Sequence, residues 1–331
     1  MISRHADYDL SSRNTFRMRV RCALLVELTE EADLPALDWA SLPQPVMVMG
    51  GGSNLLFTRD FPGTILHVSI GGLGETCGAG VVFDDFCAWA ASEGLWGPEN
   101  LSLIPGEVGA SAVQNIGAYG VEAKDIIADI RAWDRQESCF VQIDPAHCAY
   151  GYRTSRFKTE WKGRYIITAV TYRLSTEPRP KLDYGGVRKA LPEAPLTPQL
   201  IRDTIIDIRR KKLPDPEEIG SAGSFFCNPV ISKEHFEQIV KTAKEENGPD
   251  YEVPHYVVGD LIKVPAAWMI DQCGFKGATN GGAQVYQNQP LVIVNATGSA
   301  TPEDIIGLEQ QIIDTIAGKY GITLHPEVEH V

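Results

Sequence analysis

The stretch IPGEVGASAVQNIGAYG, residues 104–120, carries most of the information about the fold. It contains four glycines and one charged residue in a run that is too long for a single turn. Glycine has no Cβ atom, so a ligand can approach the backbone closely at such positions. The composition of residues 104–120 therefore favours a segment on which an extended planar or diphosphate-bearing ligand lies against the main chain.

A second glycine-rich segment, GGGSN at residues 50–54, follows the apolar run 46–49. This pattern predicts a strand that ends in a glycine turn. It matches neither common nucleotide fingerprint, because Leu55 stands where G-x-G-x-x-G needs its last glycine and no Gly-Lys-Ser/Thr follows. Taken alone, the segment is either a tight turn or a phosphate cradle made of backbone amides.

The first 180 residues or so are expected to be mostly β-structure with occasional helices. Asp84 is expected to cap a helix that stops at Gly94. The strands are predicted at residues 46–49, 64–70, 78–83, 126–133, 138–143 and 165–174.

The second half indicates a separate α+β domain. Helical spacing of apolar residues predicts helices at 199–212, 232–245 and 265–273. A longer helix is predicted after Thr301, with Thr301 and Asp304 as its N-terminal cap and Gly321 as its stop. The proline-rich residues 176–200 are interpreted as a linker or an ordered loop between the halves.

Composition excludes several classes of protein. With 30 Lys and Arg against 43 Asp and Glu, the net charge of the 331 residues is −13, which disfavours non-specific nucleic-acid binding. No apolar run approaches the roughly 20 residues of a membrane helix. We therefore expect a soluble cytoplasmic protein with no nucleic-acid, membrane or obligate protein partner. The seven cysteines and seven histidines show no metal-ligand spacing, so reduced thiols and no metal site are expected.

Two further segments contain candidate functional side chains. Cations alternate with aromatic residues in 151–158, which is typical either of a solvated strand or of an arginine that holds a carboxylate. Residues 220–229 place Ser224 between small residues and two phenylalanines. A serine-hydrolase elbow is disfavoured there, because Phe226 occupies the position of the last glycine in G-x-S-x-G.

Together these segments resemble the UDP-N-acetylenolpyruvoylglucosamine reductase family over nearly the whole chain. Six strings in the family's order carry the resemblance: GGSNLL at 51–56, IPG through QNIGAYG at 104–120, GYR with FK at 151–158, KLPDP at 212–216, AGSFF with NP at 222–229, and AWMID at 267–271.

The resemblance implies an α+β fold with a two-part FAD-binding domain of the vanillyl-alcohol-oxidase (PCMH) type and a C-terminal α+β substrate domain. It places the first FAD-binding subdomain at residues 1–70, with 320–331 returning to it. The second subdomain is expected at 71–198 and the UDP-sugar domain at 199–319. The implied cofactor is FAD, with NADPH as the hydride donor, and the implied substrate is a UDP-sugar.

The resemblance also implies roles for individual residues. By position, Ser224 is similar to the family's proton donor, Arg153 to its catalytic arginine and Glu327 to its catalytic glutamate. The substrate-binding set comprises Tyr152, Tyr184, Arg209, Lys212, Asn228, Tyr256 and Gln289, of which Tyr184 is similar to the tyrosine of a loop that covers substrate. The cofactor-binding set comprises Gly50, Gly51, Gly52, Ser53, Asn54, Leu55, Ile104, Pro105, Gly106, Ser111, Asn115, Gly117, Ala118, Tyr119 and Gly120.

The chain departs from the family pattern in two places. Glu329 stands where the family often has an arginine, and the connection at 71–77 is shorter than expected. Two rival hypotheses are kept, one from the shared fold and one from these two departures. An FAD-dependent alcohol or sugar oxidase of the same fold would consume oxygen without NADPH, and a catalytically weakened UDP-sugar-binding protein would bind ligand without oxidising NADPH.

Overall fold

The computed structural model describes residues 2–331. The strands are, in chain order, β1 Ile2–Asp9, β2 Arg21–Leu28, β3 Val46–Met49, β4 Leu55–Leu56, β5 Phe61–Val68, β6 Thr76–Gly78, β7 Gly117–Ala118, β8 Val121–Glu122, β9 Ile127–Asp134, β10 Cys139–Ile143, β11 Tyr165–Tyr172, β12 Gly220–Ser221, β13 Val230–Ile231, β14 Tyr256–Val258, β15 Leu261–Lys263, β16 Thr279–Asn280, β17 Ala283–Val285, β18 Ile293–Asn295 and β19 Glu329–His330. The helices are α1 Asp33–Ala36, α2 Phe83–Ser92, α3 Val108–Gln114, α4 Val187–Ala190, α5 Pro198–Lys212, α6 Lys233–Asn247, α7 Ala266–Gln272 and α8 Pro302–Tyr320.

The chain divides into two compact units. The first unit comprises the chain up to Asn14 together with Arg19–Ser53 and Asp60–Lys211. The second unit comprises Thr15–Met18, Asn54–Arg59 and Lys212–Val331.

A mixed sheet in the order β1-β2-β5-β3 opens the first unit. Strands β2 and β3 run parallel to β5, whereas β1 pairs antiparallel with β2 at the edge. Strand β5 is buried along nearly its whole length, as expected for a parallel strand that is covered on both faces. The glycine segment after β3 therefore starts from a strand that pairs with this buried strand.

The other large sheet of this unit has the order β10-β9-β11-β6 and is antiparallel. One apolar core joins it to the first sheet and to α2 and α3. The core includes Leu66 of β5, Ile130 of β9, Val170 of β11, Phe86 of α2 and Ala112 of α3, all fully buried.

The proline-rich residues 176–200 form an ordered loop, which decides between the two interpretations given above. Leu182 and Val187 in this loop are buried against Trp96 and against Ile201 and Ile205 of α5. Apolar burial of this kind fixes the position of the loop and of the helix that follows.

The second unit contains a sheet in the order β12-β18-β17-β16, a smaller sheet β13-β15-β14, and the parallel pair β4-β19. Helix α8 buries Ile305, Leu308, Ile312 and Ile316, which share one helical face. Thr301 and Asp304 form the expected capping box of α8, and Gly321 follows its last turn in the left-handed conformation.

The α+β class predicted from the sequence is confirmed by the mixture of sheets and helices. The four long helices of the second half begin and end within two residues of their predicted limits. The strand predicted at 78–83 is wrong, since β6 ends at Gly78 and α2 begins at Phe83. The predicted cap at Asp84 is also wrong: α2 has no side-chain cap, because the Asp84 carboxylate instead accepts hydrogen bonds from Leu103 N and Arg202.

Within residues 2–331, no helix is both long and apolar enough to cross a membrane. The same part of the chain contains no cluster of three or more His, Cys, Asp or Glu side chains that could hold a metal ion.

Candidate active site

The two glycine segments expected to bind the cofactor lie side by side in the first unit. A Cβ atom on Gly51 would lie 3.6 Å from the Cα atom of Gly106. The Ser53 hydroxyl donates a hydrogen bond to the Pro105 carbonyl over 3.1 Å. At Gly52, φ is +64° and a Cβ atom would lie 2.1 Å from the Arg13 carbonyl oxygen, so only glycine is tolerated. The missing side chains let the two segments lie close together, with Gly51 exposed at their surface, an arrangement that suits a diphosphate group.

Helix α3 and its end hold the rest of the long glycine segment. Asn115 is fully buried and ends α3 in the left-handed conformation, with φ of 49°. Its Nδ2 donates to the Gly151 carbonyl over 2.8 Å and to Glu122 over 3.1 Å, and its Oδ1 accepts from Lys124 N over 3.0 Å. Buried Ser111 bonds to the Val108 carbonyl within the helix. These two side chains shape the segment that presents Gly117 to Gly120.

Arg153 lies against this segment. Its Nη2 donates to the Gly117 carbonyl over 2.7 Å, and its guanidinium lies 5.3 Å from the centre of the Tyr152 ring. Arg153 has a φ of 55°, which is uncommon for a residue with a Cβ atom. The interpretation of 151–158 as a solvated strand is wrong, because only an isolated bridge and a short 3₁₀ turn occur there.

The loop that carries Tyr184 approaches the same segment. A Cβ atom on Gly185 would lie 2.7 Å from the Tyr119 ring, and one on Gly120 would lie 3.4 Å from the Tyr184 Cβ. Buried Asn100 joins the two loops, since its Nδ2 donates to the carbonyls of Tyr119 and Lys181, each over 2.8 Å. The side chain of Tyr184 is itself 42% exposed. Nothing in the sequence pattern indicated this role of Asn100.

Helix α5 carries Arg209 and ends at Lys212, one turn further on. Burial lowers the pKa of the Arg209 guanidinium, and the neighbouring Tyr119 hydroxyl opposes that change. Burial also raises the pKa of the Tyr119 hydroxyl. The side chain of Lys212, by contrast, is exposed. Arg209 is therefore the better shielded of the two cations predicted to bind the UDP-sugar.

Ser224 and Glu327 are brought together within the second unit. Glu327 N donates to the carbonyl of Phe225, the residue after Ser224, over 2.8 Å. Phe226 and Pro326 form an antiparallel bridge at the same place. Both phenylalanines are buried, so they anchor the serine loop in the core. The two residues of this unit that the resemblance assigns to catalysis thus come from adjacent backbones.

Asn54 holds the backbone of Glu327 from the other side. Its Nδ2 donates to the Glu327 carbonyl over 3.1 Å, and its own carbonyl accepts from Glu329 N over 3.0 Å. These bonds begin the parallel pairing of β4 with β19, in which Leu55 lies opposite Glu329. Asn54 was predicted as a cofactor residue, and the structure shows that it also positions the glutamate.

A second support for this strand was missed at the sequence level. His330 Nε2 lies 2.9 Å from Glu309 Oε2 on α8, and the His330 ring lies 6.2 Å from the ring of Phe225. A single histidine and a single helical glutamate give no spacing signal, so only the fold reveals the pair.

The remaining predicted substrate residues lie on three different elements of the second unit. Asn228 accepts a hydrogen bond from Ala266 N at the start of α7 over 2.9 Å. Tyr256 belongs to β14, where it is 43% exposed. Gln289 lies in the turn between β17 and β18 and is half-buried.

Comparison with known proteins identifies the relatives of this chain. Residues 215–331 match the family model for the UDP-N-acetylenolpyruvoylglucosamine reductase C-terminal domain, and residues 23–140 match that for an FAD binding domain. A UDP-N-acetylenolpyruvoylglucosamine reductase of Bacteroides fragilis is 44% identical over 336 residues, covering 98% of this chain and 99% of that protein. The enzyme of the same name from Porphyromonas gingivalis is 43% identical, covering 98% of each chain.

The fold agrees with a solved structure. The crystal structure of UDP-N-acetylenolpyruvylglucosamine reductase from Thermus caldophilus matches with a TM-score of 0.70 at 21% identity, covering 100% of this chain and 98% of that one. At that identity the likeness concerns the fold alone. The FAD prediction is confirmed by the matching FAD-binding model, which covers both glycine segments, and the two segments side by side, with Gly51 exposed, fit that cofactor. The full-length similarity confirms the resemblance carried by the six strings: the chain belongs to the UDP-N-acetylenolpyruvoylglucosamine reductase family.

Proposed function

We propose that the protein reduces UDP-N-acetylglucosamine enolpyruvate to UDP-N-acetylmuramate, with FAD as cofactor and NADPH as hydride donor, in the synthesis of peptidoglycan precursors. The observation that carries the proposal is the pairing of Ser224 and Glu327 in a member of this family. Glu327 N bonds to the carbonyl next to Ser224, which fixes a hydroxyl and a carboxylate on neighbouring backbones.

The residue types suit the reaction. Bound FAD supplies hydride transfer, which carries the reducing equivalents of NADPH to the terminal carbon of the enol ether. Negative charge then develops on the substrate carboxylate, and the Arg153 guanidinium supplies preorganised donors for it. The Ser224 hydroxyl gives a proton to the carbon beside that carboxylate, which fixes the new stereocentre. Glu327 orients or shares a proton in the same network.

Remote parts of the substrate are held by the other residues. We assign the UDP-sugar to Arg209, Lys212, Asn228, Tyr256 and Gln289, with Tyr152 beside the enolpyruvyl group and Tyr184 on the covering loop. Contacts to the diphosphate and uridine provide binding energy that holds the reacting carbon in place. The burial of Arg209 supports its part in this set.

The domain limits given by the resemblance are also proposed for this chain. The FAD-binding model covers 23–140, within the proposed subdomains 1–70 and 71–198, and the C-terminal family model covers 215–331. We further propose a cytoplasmic location and no obligate protein partner, in keeping with a small nucleotide-sugar substrate.

Ser224→Ala tests the proposal by separating the two half-reactions in stopped flow. Flavin reduction by NADPH should be nearly unchanged, while reoxidation by the enolpyruvyl substrate falls by about 10²–10⁴-fold, as expected for loss of a general acid. Ser299→Ala, on an exposed turn of the same unit, is the matched control and should alter neither rate. Equal losses in both half-reactions would contradict the assignment, and oxygen uptake without NADPH would indicate an oxidase instead.

A further inference from the structure

A buried group of charged side chains lies directly beside the two glycine segments of the first unit. His67 on β5 has a side chain that is only 10% exposed, and that of Glu107 is 12% exposed. His67 Nε2 lies 2.8 Å from Glu107 Oε1. Glu107 is the residue after Gly106, so this carboxylate stands at the edge of the proposed FAD site.

The Glu107 carboxylate also faces the other glycine segment. A Cβ atom on Gly50 would lie 3.1 Å from Glu107 Oε2, and one on Gly51 would lie 3.9 Å from Oε1. Glu107 precedes the first residue of α3, yet its side chain makes no capping hydrogen bond. It points to His67 instead. A negative charge at this place opposes the binding of a diphosphate unless a positive charge accompanies it.

The Nδ1 side of His67 faces further polar groups. Nδ1 lies 2.9 Å from Ser69 Oγ and 3.4 Å from Glu27 Oε1. Arg13 donates to the same Glu27 oxygen over 2.8 Å and lies 3.4 Å from Nδ1. Further out, His5 lies 3.7 Å from the other Glu27 oxygen, and Tyr8 interacts with Arg13.

The charges of this group depend on one proton. Glu27 and Glu107 contribute two negative charges and Arg13 one positive charge. The sum is −1 with a neutral His67 and zero with a protonated one. Nε2 of His67 faces Glu107 Oε1, to which an imidazolium donates, and Nδ1 faces oxygen atoms of Ser69 and Glu27 as well as Nη1 of Arg13, whose charge opposes that of the ring.

We propose that the imidazolium of His67, held between Glu107 and Glu27, is the positive charge that lets the FAD diphosphate lie against the two glycine segments, so that FAD binding takes up a proton at His67. The inference rests on the location of FAD given in the proposed function. The proposed uptake of a proton at His67 agrees with the charges around the ring. Burial by itself lowers the pKa of His67, but the bonds to Glu107 and Glu27 outweigh it and raise the pKa above its ordinary value.

The experiment measures FAD affinity directly and does not depend on turnover. Apoprotein is titrated with FAD from pH 5.5 to 9, and the Kd is read from quenching of flavin fluorescence. The diphosphate should raise the pKa of His67 further, so the Kd rises with pH between the two pKa values, by up to about tenfold per unit for one linked proton. Calorimetry in two buffers of different ionisation enthalpy counts the protons taken up.

Three variants isolate the charge. His67→Gln keeps hydrogen-bonding groups without the charge and should bind FAD weakly at every pH, with no proton uptake. Glu107→Gln removes the opposing charge and the main group that raises the pKa of His67, so it should tighten binding at high pH and move the pH range over which the Kd changes to lower values. His5→Asn is the matched control on the exposed side of Glu27 and should behave as the unaltered protein does.

The outcomes separate this inference from the proposed function. A pH-independent Kd with no proton uptake by the unaltered protein, or a Glu107→Gln variant whose Kd changes over the same pH range as that of the unaltered protein, would overturn the role of His67. If His67→Gln does not fold, these two measurements still decide. Failure of the FAD location itself would show differently, as a Gly51→Val variant that binds FAD with unchanged affinity although a side chain there meets Gly106.

Discussion

Asp84 and Arg202 form a two-point ion pair that joins α2 to α5, and its removal is expected to destabilise the first unit. Arg202 Nη1 and Nη2 donate to the two Asp84 oxygens over 2.5 and 2.9 Å, and Leu103 N donates to the same carboxylate over 2.5 Å. The side chain of Arg202 is 10% exposed and that of Asp84 is 23% exposed. Asp84→Ala therefore leaves a largely buried guanidinium without its counter-charge.

We expect Asp84→Ala to lower the free energy of unfolding by about 3 kcal/mol. This is the lower end of the range for breaking a buried ion pair, because water reaches part of Asp84. The pH dependence follows from the pKa of Asp84. Burial alone raises this pKa, but the bonds from Arg202 and Leu103 N outweigh it and lower the pKa below its ordinary value. The contribution of the ion pair to the free energy of unfolding is thus fully present above the unfolded-state pKa of about 4. It is lost as the pH falls through the lower pKa that Asp84 has in the folded state.

Urea unfolding of the single variants and of Asp84→Ala/Arg202→Met measures how much the ion pair contributes to the free energy of unfolding. The double variant should be more stable than Asp84→Ala, because it no longer buries an unpaired charge. Asp183→Ala is the control, since Arg188 bonds to Asp183 over 2.7 Å but the two side chains are 65% and 88% exposed. Asp183→Ala should leave the free energy of unfolding unchanged within experimental error. If Asp84→Ala and Asp183→Ala unfold at the same urea concentration, the reasoning is refuted.

Two other substitutions and one deletion test the site. Arg153→Lys replaces a planar fork by a point charge and should slow flavin reoxidation by substrate about 10²-fold in stopped flow, whereas a near-normal rate would show that the arginine is not catalytic. Asn115→Ala removes three buried hydrogen bonds at a left-handed residue, so urea unfolding should show a loss of about 2–4 kcal/mol, and an unchanged midpoint would contradict that structural role. Deletion of 329–331 removes the strand that holds Glu327. Flavin reoxidation by substrate should become slower, while the flavin absorbance per protein stays the same. If the protein also loses its flavin, the strand supports the FAD site as well as Glu327, and the prediction is wrong.

Much of the fold was predictable because local patterns agree with it. The cap and the apolar spacing of α8 defined that helix closely, since both signals are local. Residues 78–83 misled because their apolar character resembles a strand. Backbone hydrogen bonds turn the chain away from β11 there: Gly80 N donates to the Ile70 carbonyl and Val81 N to the Gly78 carbonyl, before α2 begins. These bonds have no signature in the short stretch itself.

The candidate site also contains some residues that the sequence reveals and others that it does not. The glycine segments and Ser224 stand out in the sequence because their composition is unusual. The residues that support them do not. Asn100, His67 and His330 act through partners far away in the chain, and a single polar residue in an apolar context gives no period or spacing to detect. Asp84 was interpreted as a helix cap for the same reason, since its partner Arg202 is 118 residues away.

The hydrogen bond from Asn54 to Glu327 joins positions that are 273 residues apart in the chain. Contacts of this separation close a large loop, and loop closure of that kind is entropically costly and slow. During synthesis, residue 54 leaves the ribosome long before residue 327 exists. The β4 strand therefore pairs only after its partner has been made, and the neighbourhood of Ser224 takes its final form only once residues 327–330 exist.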